Sequence, residues 1–463
     1  MGRALRDKSV DGWEVASTKL KNNQLQHMER NGEQKNAYGC LKLSYDYLNH
    51  EKTKLVFLLC CLFPEDYNIP IEDLTRYAIG YGLHQDVESI EDARRHVYVE
   101  IRILKDCCML LSTETEEKVK MHGLVRDVAI QIAYKEHGFM VKAGIGLKEW
   151  PRSNKSFEGC TTISLMGNQL TELPEGLVFP QLKVLLLELD SDLNVQARFF
   201  ERMTEIEVLS LKGGCLSLQS LEFSTNLQSL LLIDCECNDL IWLRKLPRLK
   251  ILGFIGCSSL EELPDEIGEL KELWLLDMTG CSSLRRIPVN LIGRLKKLEE
   301  LVIGDNSFEG WDVVRCDSTE EMNASLTELN LLSHLVVLSL KITDEIGELK
   351  EIRLMDVTGS RDARTLLSIL AKWQQALNNL TSVKIEDCKS LEEVFDLGEG
   401  SSEVKELRLL SSLTRLELKL LPELKCIWKG PTRHVSLRSL IHLELQSLYK
   451  LTFIFTPFTG SKS

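Results

Sequence analysis

Leu182-Lys-Val-Leu185-Leu-Leu187 is answered by Ile206-Glu-Val-Leu209-Ser-Leu211 and again by Leu227-Gln-Ser-Leu230-Leu-Leu232. The same phrase begins once more at Leu249, Leu273, Leu298, Leu335, Leu380, Leu413 and Leu440. From Leu182 to Leu298 the successive starts are 24, 21, 22, 24 and 25 residues apart. Apolar residues at the first, fourth and sixth places fit one short strand with an inward side. The rest of the period must carry the chain back to the next start. One copy cannot bury its apolar side alone, whereas stacked copies share a continuous core.

Phrase and period together are those of a leucine-rich repeat. The expected fold class is α/β: an N-terminal, mainly α winged-helix module followed by a curved leucine-rich-repeat solenoid. Strand side chains alternate, so the third, fifth and seventh residues of each repeat should point outward on the concave face. Early repeats then display Val184, Leu186, Leu231, Ile233, Ile251 and Ile255, and later ones Lys384, Glu386, Arg415, Glu417, Lys419, His442 and Glu444. An exposed apolar strip is costly. Leu186, Leu231, Ile233, Ile251 and Ile255 are therefore expected either to pack against the N-terminal module or a partner, or to reflect loose register. The later charged strip is the expected ligand or partner surface, with charge setting its specificity. The period breaks between Leu298 and Leu335, around the polar Asp312 to Asn323, and again before Leu380, around a helical stretch near Leu366 to Leu377. Thr459-Gly-Ser-Lys-Ser463 holds no polar cap, so the array reads as cut short.

A chain of 463 residues exceeds one ordinary core. Its formal charge of −13 argues against a general nucleic-acid binder. Residues 1–140 carry 19 Lys and Arg against 22 Asp and Glu, so no basic patch is expected there either. No apolar run approaches the roughly 20 residues that cross a bilayer, and Leu55 to Phe63 has the length of a buried helix. Met1-Gly-Arg-Ala-Leu-Arg6 has no signal-peptide stretch, which gives a cytoplasmic expectation. Of the 14 cysteines, Cys235, Cys257, Cys281 and Cys388 each fall eight residues after a repeat's first leucine. That is the repeat's Asn/Cys position, and no metal site is expected.

Ahead of the array the apolar spacing is helical. Helices are expected from Leu41, over Leu55–Leu62, Ile71–Leu83 and Ile90–Leu111, and over Leu124–Ala133, with a short strand at Val119–His122. Four segments follow: 1–37, a polar lead; 38–140, the winged-helix domain; 141–156, a linker; and 157–463, the repeats.

Cys61-Leu-Phe-Pro-Glu-Asp-Tyr-Asn-Ile-Pro70, preceded by Leu41-Lys-Leu-Ser-Tyr-Asp-Tyr-Leu48, closely resembles the winged-helix region of plant NLR immune receptors of the coiled-coil class. Met121-His122-Gly123 and the helix after it look like that family's Met-His-Asp motif. The resemblance covers nearly the whole chain. It implies a disease-resistance protein, not an enzyme, that recognises a pathogen effector or a guarded host protein through its repeats. It also implies regulation of an ADP/ATP switch in the NB-ARC region, with His122 reaching the ADP phosphate; otherwise His122 is a histidine at a helix start. Residues 1–37 resemble the end of that nucleotide-binding region. There are two departures. The sequence holds no Gly-x-x-x-x-Gly-Lys-Ser/Thr loop, so the chain reads as an NLR without its signalling domain and P-loop core, and any switch is supplied by another NLR or absent. Gly123 also stands where the motif has aspartate. Alternatives are a repeat scaffold for protein interaction unrelated to immunity, and a winged-helix DNA-binding regulator.

Overall fold

In a computed structural model of the chain, the described residues are 14, 32–83, 87–151, 159–174, 176–237, 239–303, 308, 323–340, 354–358, 380–388, 391–396, 410–429 and 436–455. The polar lead before residue 32, the insertion at Asp312–Met322 and the helix expected near Leu366–Leu377 lie outside them, residue 14 apart. The chain divides into two compact units, Met1–Leu231 and Leu232–Ser463.

The first unit opens with helices α1 (Gly32–Asp46), α2 (Glu51–Cys60), α3 (Ile71–Gly80), α4 (Ile90–Asp106) and α5 (Gly123–His137). Between them β1 (Ile69–Pro70), β2 (Leu111–Ser112) and β3 (Lys118–Lys120) form an antiparallel sheet ordered β1-β3-β2, the small wing of a winged helix. Local chemistry sets the helix ends. Ser89 caps α4 by accepting the Asp92 N–H at 3.1 Å, and Glu91 and Asp92 put negative charge at the positive end of the helix dipole. Gly138, with φ of 69°, ends α5 in the left-handed conformation that costs glycine nothing. The run Val56 to Phe63 is wholly buried. Glu72 on α3 takes a two-pronged bond from Arg94 on α4, at 2.9 and 3.1 Å, which fixes these helices against each other. Burial alone would raise the Glu72 carboxyl, but the Arg94 guanidinium beside it holds it below its ordinary value.

The sheet of the repeats starts earlier than the expected linker allows. β4 (Phe139–Val141) pairs in parallel with β5 (Thr162–Leu170), and β6 (Val184–Leu189) and β8 (Val208–Lys212) extend the ladder, with β10 (Ser229–Ile233) beside β8. The following chain stays in register through Gly144 N–H to Met166 O at 2.8 Å and Gln169 N–H to Leu147 O at 3.2 Å. Asn168, at the Asn/Cys position, accepts from Leu147 N–H and donates to Lys142 O and Leu165 O, each at 2.9 Å. A three-residue strand has no readable period, so nothing in its residues marks it.

The helical module lies against the concave side of these first strands. Tyr77 donates to Ser210 Oγ at 3.5 Å, Ser164 Oγ to Leu62 O at 2.6 Å, and Gln228 Nε2 to Gly80 O at 3.3 Å. Val208, Ser210 and Ser229 are third- or fifth-place residues, which sequence reasoning passed over; their small size is the signal. Gly80 needs no Cβ because one would meet Val208 Cγ2 at 2.5 Å and Ser229 Cβ at 2.7 Å. Arg126 on α5, itself buried, donates to Phe63 O at 2.7 Å and Ala143 O at 3.3 Å, joining α2's end to the start of the array.

In the second unit β12 (Ile251–Ile255), β13 (Leu275–Asp277), β14 (Glu300–Val302), β15 (Val337–Leu340), β16 (Leu354–Thr358), β17 (Ser382–Glu386), β19 (Arg415–Lys419) and β21 (His442–Gln446) form one parallel ladder. Return segments are single 3-10 turns, Ile241–Lys245 and Asp265–Glu269 among them, and a second ladder of β18 (Glu393–Asp396), β20 (Cys426–Lys429) and β22 (Phe453–Phe455) forms in the later repeats. The leucines of the phrase are the core: Leu249, Leu252, Leu273, Leu276, Leu298 and Leu301 are fully buried.

The cysteines occupy repeat positions. Cys257 Sγ donates to Leu232 O at 3.3 Å, and Cys281 Sγ to Phe254 O at 2.9 Å, each reaching the carbonyl of the preceding repeat. Burial pushes these thiols up, to about 11 and about 12, so they remain protonated donors rather than thiolate ligands. The residue just before this position is left-handed in repeat after repeat: Asp234, Gly256, Gly280, Asp387, Leu420 and Ser447 all have positive φ. At Gly256 a Cβ would also fall on Asp234 Oδ1.

Leu420, 45% exposed with φ of 53°, pays a left-handed penalty of about 1–2 kcal/mol. Glycine there should raise the urea midpoint, with a net gain of about 0.5–1 kcal/mol after its own chain entropy, whereas Gly256→Val should lower it. Gly80→Val should cost about 1–3 kcal/mol by overpacking against Val208 and Ser229 and should speed proteolysis between residues 138 and 161. Unchanged melting and cleavage in that variant would contradict the packing described for α3.

Candidate functional site: the charged concave strip and the histidine motif

Register places Ser382, Arg415 and His442 in one row across β17, β19 and β21, Lys384, Glu417 and Glu444 in the next, and Glu386, Lys419 and Gln446 in the third. The seven charged or titratable residues anticipated for this surface therefore share one patch. Cations and anions alternate along β17 and β19 and face each other across them at Lys384–Glu417 and Glu386–Lys419, whereas Glu417 faces Glu444 across β19 and β21. Lys384 Nζ pairs with Glu386 at 3.2 Å, Arg415 with Glu417, and Lys419 with Glu417 at 3.3 Å and Glu444 at 3.0 Å. His442 Nε2 lies 3.6 Å from Glu444 and 3.8 Å from Glu417.

Glu417 is the hub. Its side chain is 6% exposed, against 47% for Arg415 and 49% for His442. Burial would raise its carboxyl, but hydrogen bonds and charge from Arg415 and Lys419 hold it below the ordinary value. Lys419 is raised in turn, first by its bond to Glu444. Glu417, His442 and Glu444 also come within 4.8 Å of one another, as metal ligands can. The positive charge between the two carboxylates is here the Lys419 ammonium.

The apolar set divides. Leu186 and Leu231 are buried in the first unit, and Ile251 is buried in the second, whereas Ile233 and Ile255 are only half-buried. The last two are seventh-place residues at the ends of β10 and β12, where the strand gives way to the turn. Leu186 lies in register between Ser164 and Ser210, both bonded to the helical module.

The histidine motif begins α5. Met121 is buried, and His122 is exposed as the N-cap, its Nδ1 accepting the Leu124 N–H at 3.1 Å. That bond places the ring proton on Nε2. Gly123 faces Glu65, whose carboxylate fills the space of a missing side chain.

Fold and surface define a leucine-rich-repeat protein headed by a winged-helix module. Residues 351–462 match the leucine-rich repeats of plant disease resistance proteins of the RPS2-like kind. The chain is 32% identical over 312 residues to the disease resistance protein At4g27190 of Arabidopsis thaliana, 31% over 323 residues to disease resistance protein RPS5 and 36% over 239 residues to disease resistance protein SUMM2, both of the same plant. These alignments take in 65%, 66% and 50% of this chain but only 31%, 31% and 22% of the relatives. The chain is thus similar to plant disease resistance proteins of the leucine-rich-repeat kind and spans about a third or less of these relatives' length.

The hub yields a pH prediction. A lowered folded pKa means that Glu417 adds stability above the ordinary carboxylate value, about 4.3, and that this is lost as pH falls through the folded value. Glu417→Gln should therefore lower the denaturant midpoint at pH 7, and the gap to the parent should close towards pH 3. A gap that stays constant with pH would remove Glu417 as the ionised hub.

Proposed function

We propose that this protein is the recognition part of a plant innate immune receptor, a non-enzymatic cytoplasmic protein whose later repeats bind a pathogen effector or a guarded host protein. The observation that carries the reading is the single exposed patch into which Lys384, Glu386, Arg415, Lys419, His442 and Glu444 converge around Glu417, in repeats of the disease-resistance kind. Such alternation rewards a partner of matching pattern and penalises others by like-charge contact. Among the described residues no helix is long and apolar enough to cross a membrane. The wing carries Glu114, Glu116 and Glu117, all exposed, which suits a protein partner better than a phosphate backbone. Binding would bias an ADP/ATP switch carried by an NB-ARC region, in another NLR where this chain supplies none.

The test is affinity capture from infected and healthy leaf tissue with the parent and with Lys384→Glu/Arg415→Glu. Both substituted side chains are at least a third exposed, and circular dichroism checks that the variant stays folded, because Arg415 is a partner of Glu417. The parent should retain a protein specific to infection, or a host protein altered by it, and the reversed variant should retain about tenfold less, equivalent to roughly 1.4 kcal/mol. Equal recovery by both forms would remove the strip as the recognition surface.

A further inference from the structure

Two strand edges lie open in the second unit. β21 is the last strand of the long parallel sheet, β22 is the last of the ladder β18-β20-β22, and among the described residues nothing pairs with either on its far side. Their inward residues are of the kind that the preceding repeat buries. Leu443 and Leu445 stand in register with Leu416 and Leu418, which are 3% and 0% exposed, yet are themselves 46% and 39% exposed. Phe453 and Phe455 likewise match the buried Cys426 and Trp428, and both are exposed. Ile441, at the entry to β21, is 87% exposed. Apolar side chains along an open edge invite another strand, and most proteins avoid them. The backbone of β21 decides what can pair there. His442 N–H donates to Thr414 O at 2.9 Å, and Gln446 O accepts the Leu420 N–H at 3.0 Å, both towards β19. Alternation along the strand then turns the amide groups of Leu443 and Leu445 to the open side.

From these edges we infer that the occupant is a second copy of this chain, joined edge to edge about a two-fold axis through Leu443. The two β21 strands then run antiparallel, and the same patch serves both chains. Leu443 faces the partner's Leu443, so their outward amides satisfy each other, and Leu445 faces the partner's Ile441. Each apolar side chain of the edge thereby meets another. On the concave side His442 faces the partner's Glu444 in a non-hydrogen-bonded pair, where side chains come closest. An imidazole N–H can donate to that carboxylate. An axis through Glu444 would instead set two carboxylates directly opposite each other, which is destabilising. Charge thus selects Leu443 as the centre. Because β22 ends at the same face, Phe453 and Phe455 come against the copy as well.

Sedimentation velocity of the full chain over a concentration series tests this. The parent should pass from single chains to a species of twice the mass. Ile441→Lys alters a side chain too exposed to matter to the fold, and it should abolish the association over the same range. His442→Glu sets like charges opposite each other twice, and should weaken it roughly threefold or more. A parent that stays single at every concentration overturns the proposal, as does a dimer that Ile441→Lys leaves intact. Disulfide capture reads the register. Directly opposed Cα atoms in such a pair lie about 5.5 Å apart, within disulfide reach. Mild oxidation should therefore cross-link Leu443→Cys to its copy, while Leu445→Cys should cross-link no more than the parent. Capture at 445 in preference to 443 would overturn the axis placed at Leu443.

Discussion

Six of the described repeats leave their strand through a single left-handed residue, and that constraint organises what comes after it. The place is a left-handed backbone position directly ahead of the Asn/Cys residue, occupied by Asp234, Gly256, Gly280, Asp387, Leu420 and Ser447. Turning there aims the next side chain back into the stack, where Cys257 and Cys281 bond to carbonyls of the preceding repeat. Those bonds satisfy backbone groups that would otherwise be buried without partners. With the turn fixed, the strands stay in register, and the third and fifth residues of every repeat line up in rows.

The third and fifth places of the repeat thus serve opposite purposes along the chain. In the first unit they carry Ser164, Leu186, Val208, Ser210 and Ser229, small or apolar groups against which α3 and the end of α2 settle. In the second unit the same positions on β17, β19 and β21 carry Lys384, Arg415, Glu417, His442 and Glu444. No change of fold separates the face that takes the helices from the charged one; side-chain size and charge do.

Much of this was legible in the sequence because it repeats. The buried leucines, the role of Cys235, Cys257 and Cys281, and the shared patch of the seven charged residues all follow from counting places within a period. The module's helices were readable from 3.6-residue spacing, with ends displaced by a few residues. What escaped notice has no period. Gly80 matters only because Val208 and Ser229 arrive opposite it. The left-handed turn is filled by Asp, Gly, Leu and Ser alike, so composition does not reveal it. Glu65 and Gly123 meet through a loop pinned by Arg126, and nothing in either local sequence announces the meeting. Ile233 and Ile255 were expected to pack with the rest of the apolar strip, yet they are only half-buried, because the seventh place is where the strand is already ending.

The internal pairing of the concave strip has a kinetic consequence. Lys384, Arg415 and Lys419 are balanced by Glu386, Glu417 and Glu444, each already in contact with an opposite charge. Such a patch projects little field beyond about 8–10 Å in physiological salt. A partner binding at this strip, as proposed above, would not be drawn in from a distance. It would have to collide, displace existing ion pairs and replace them with its own. Its arrival would be slow and almost indifferent to ionic strength, and discrimination would fall on how long each complex lasts.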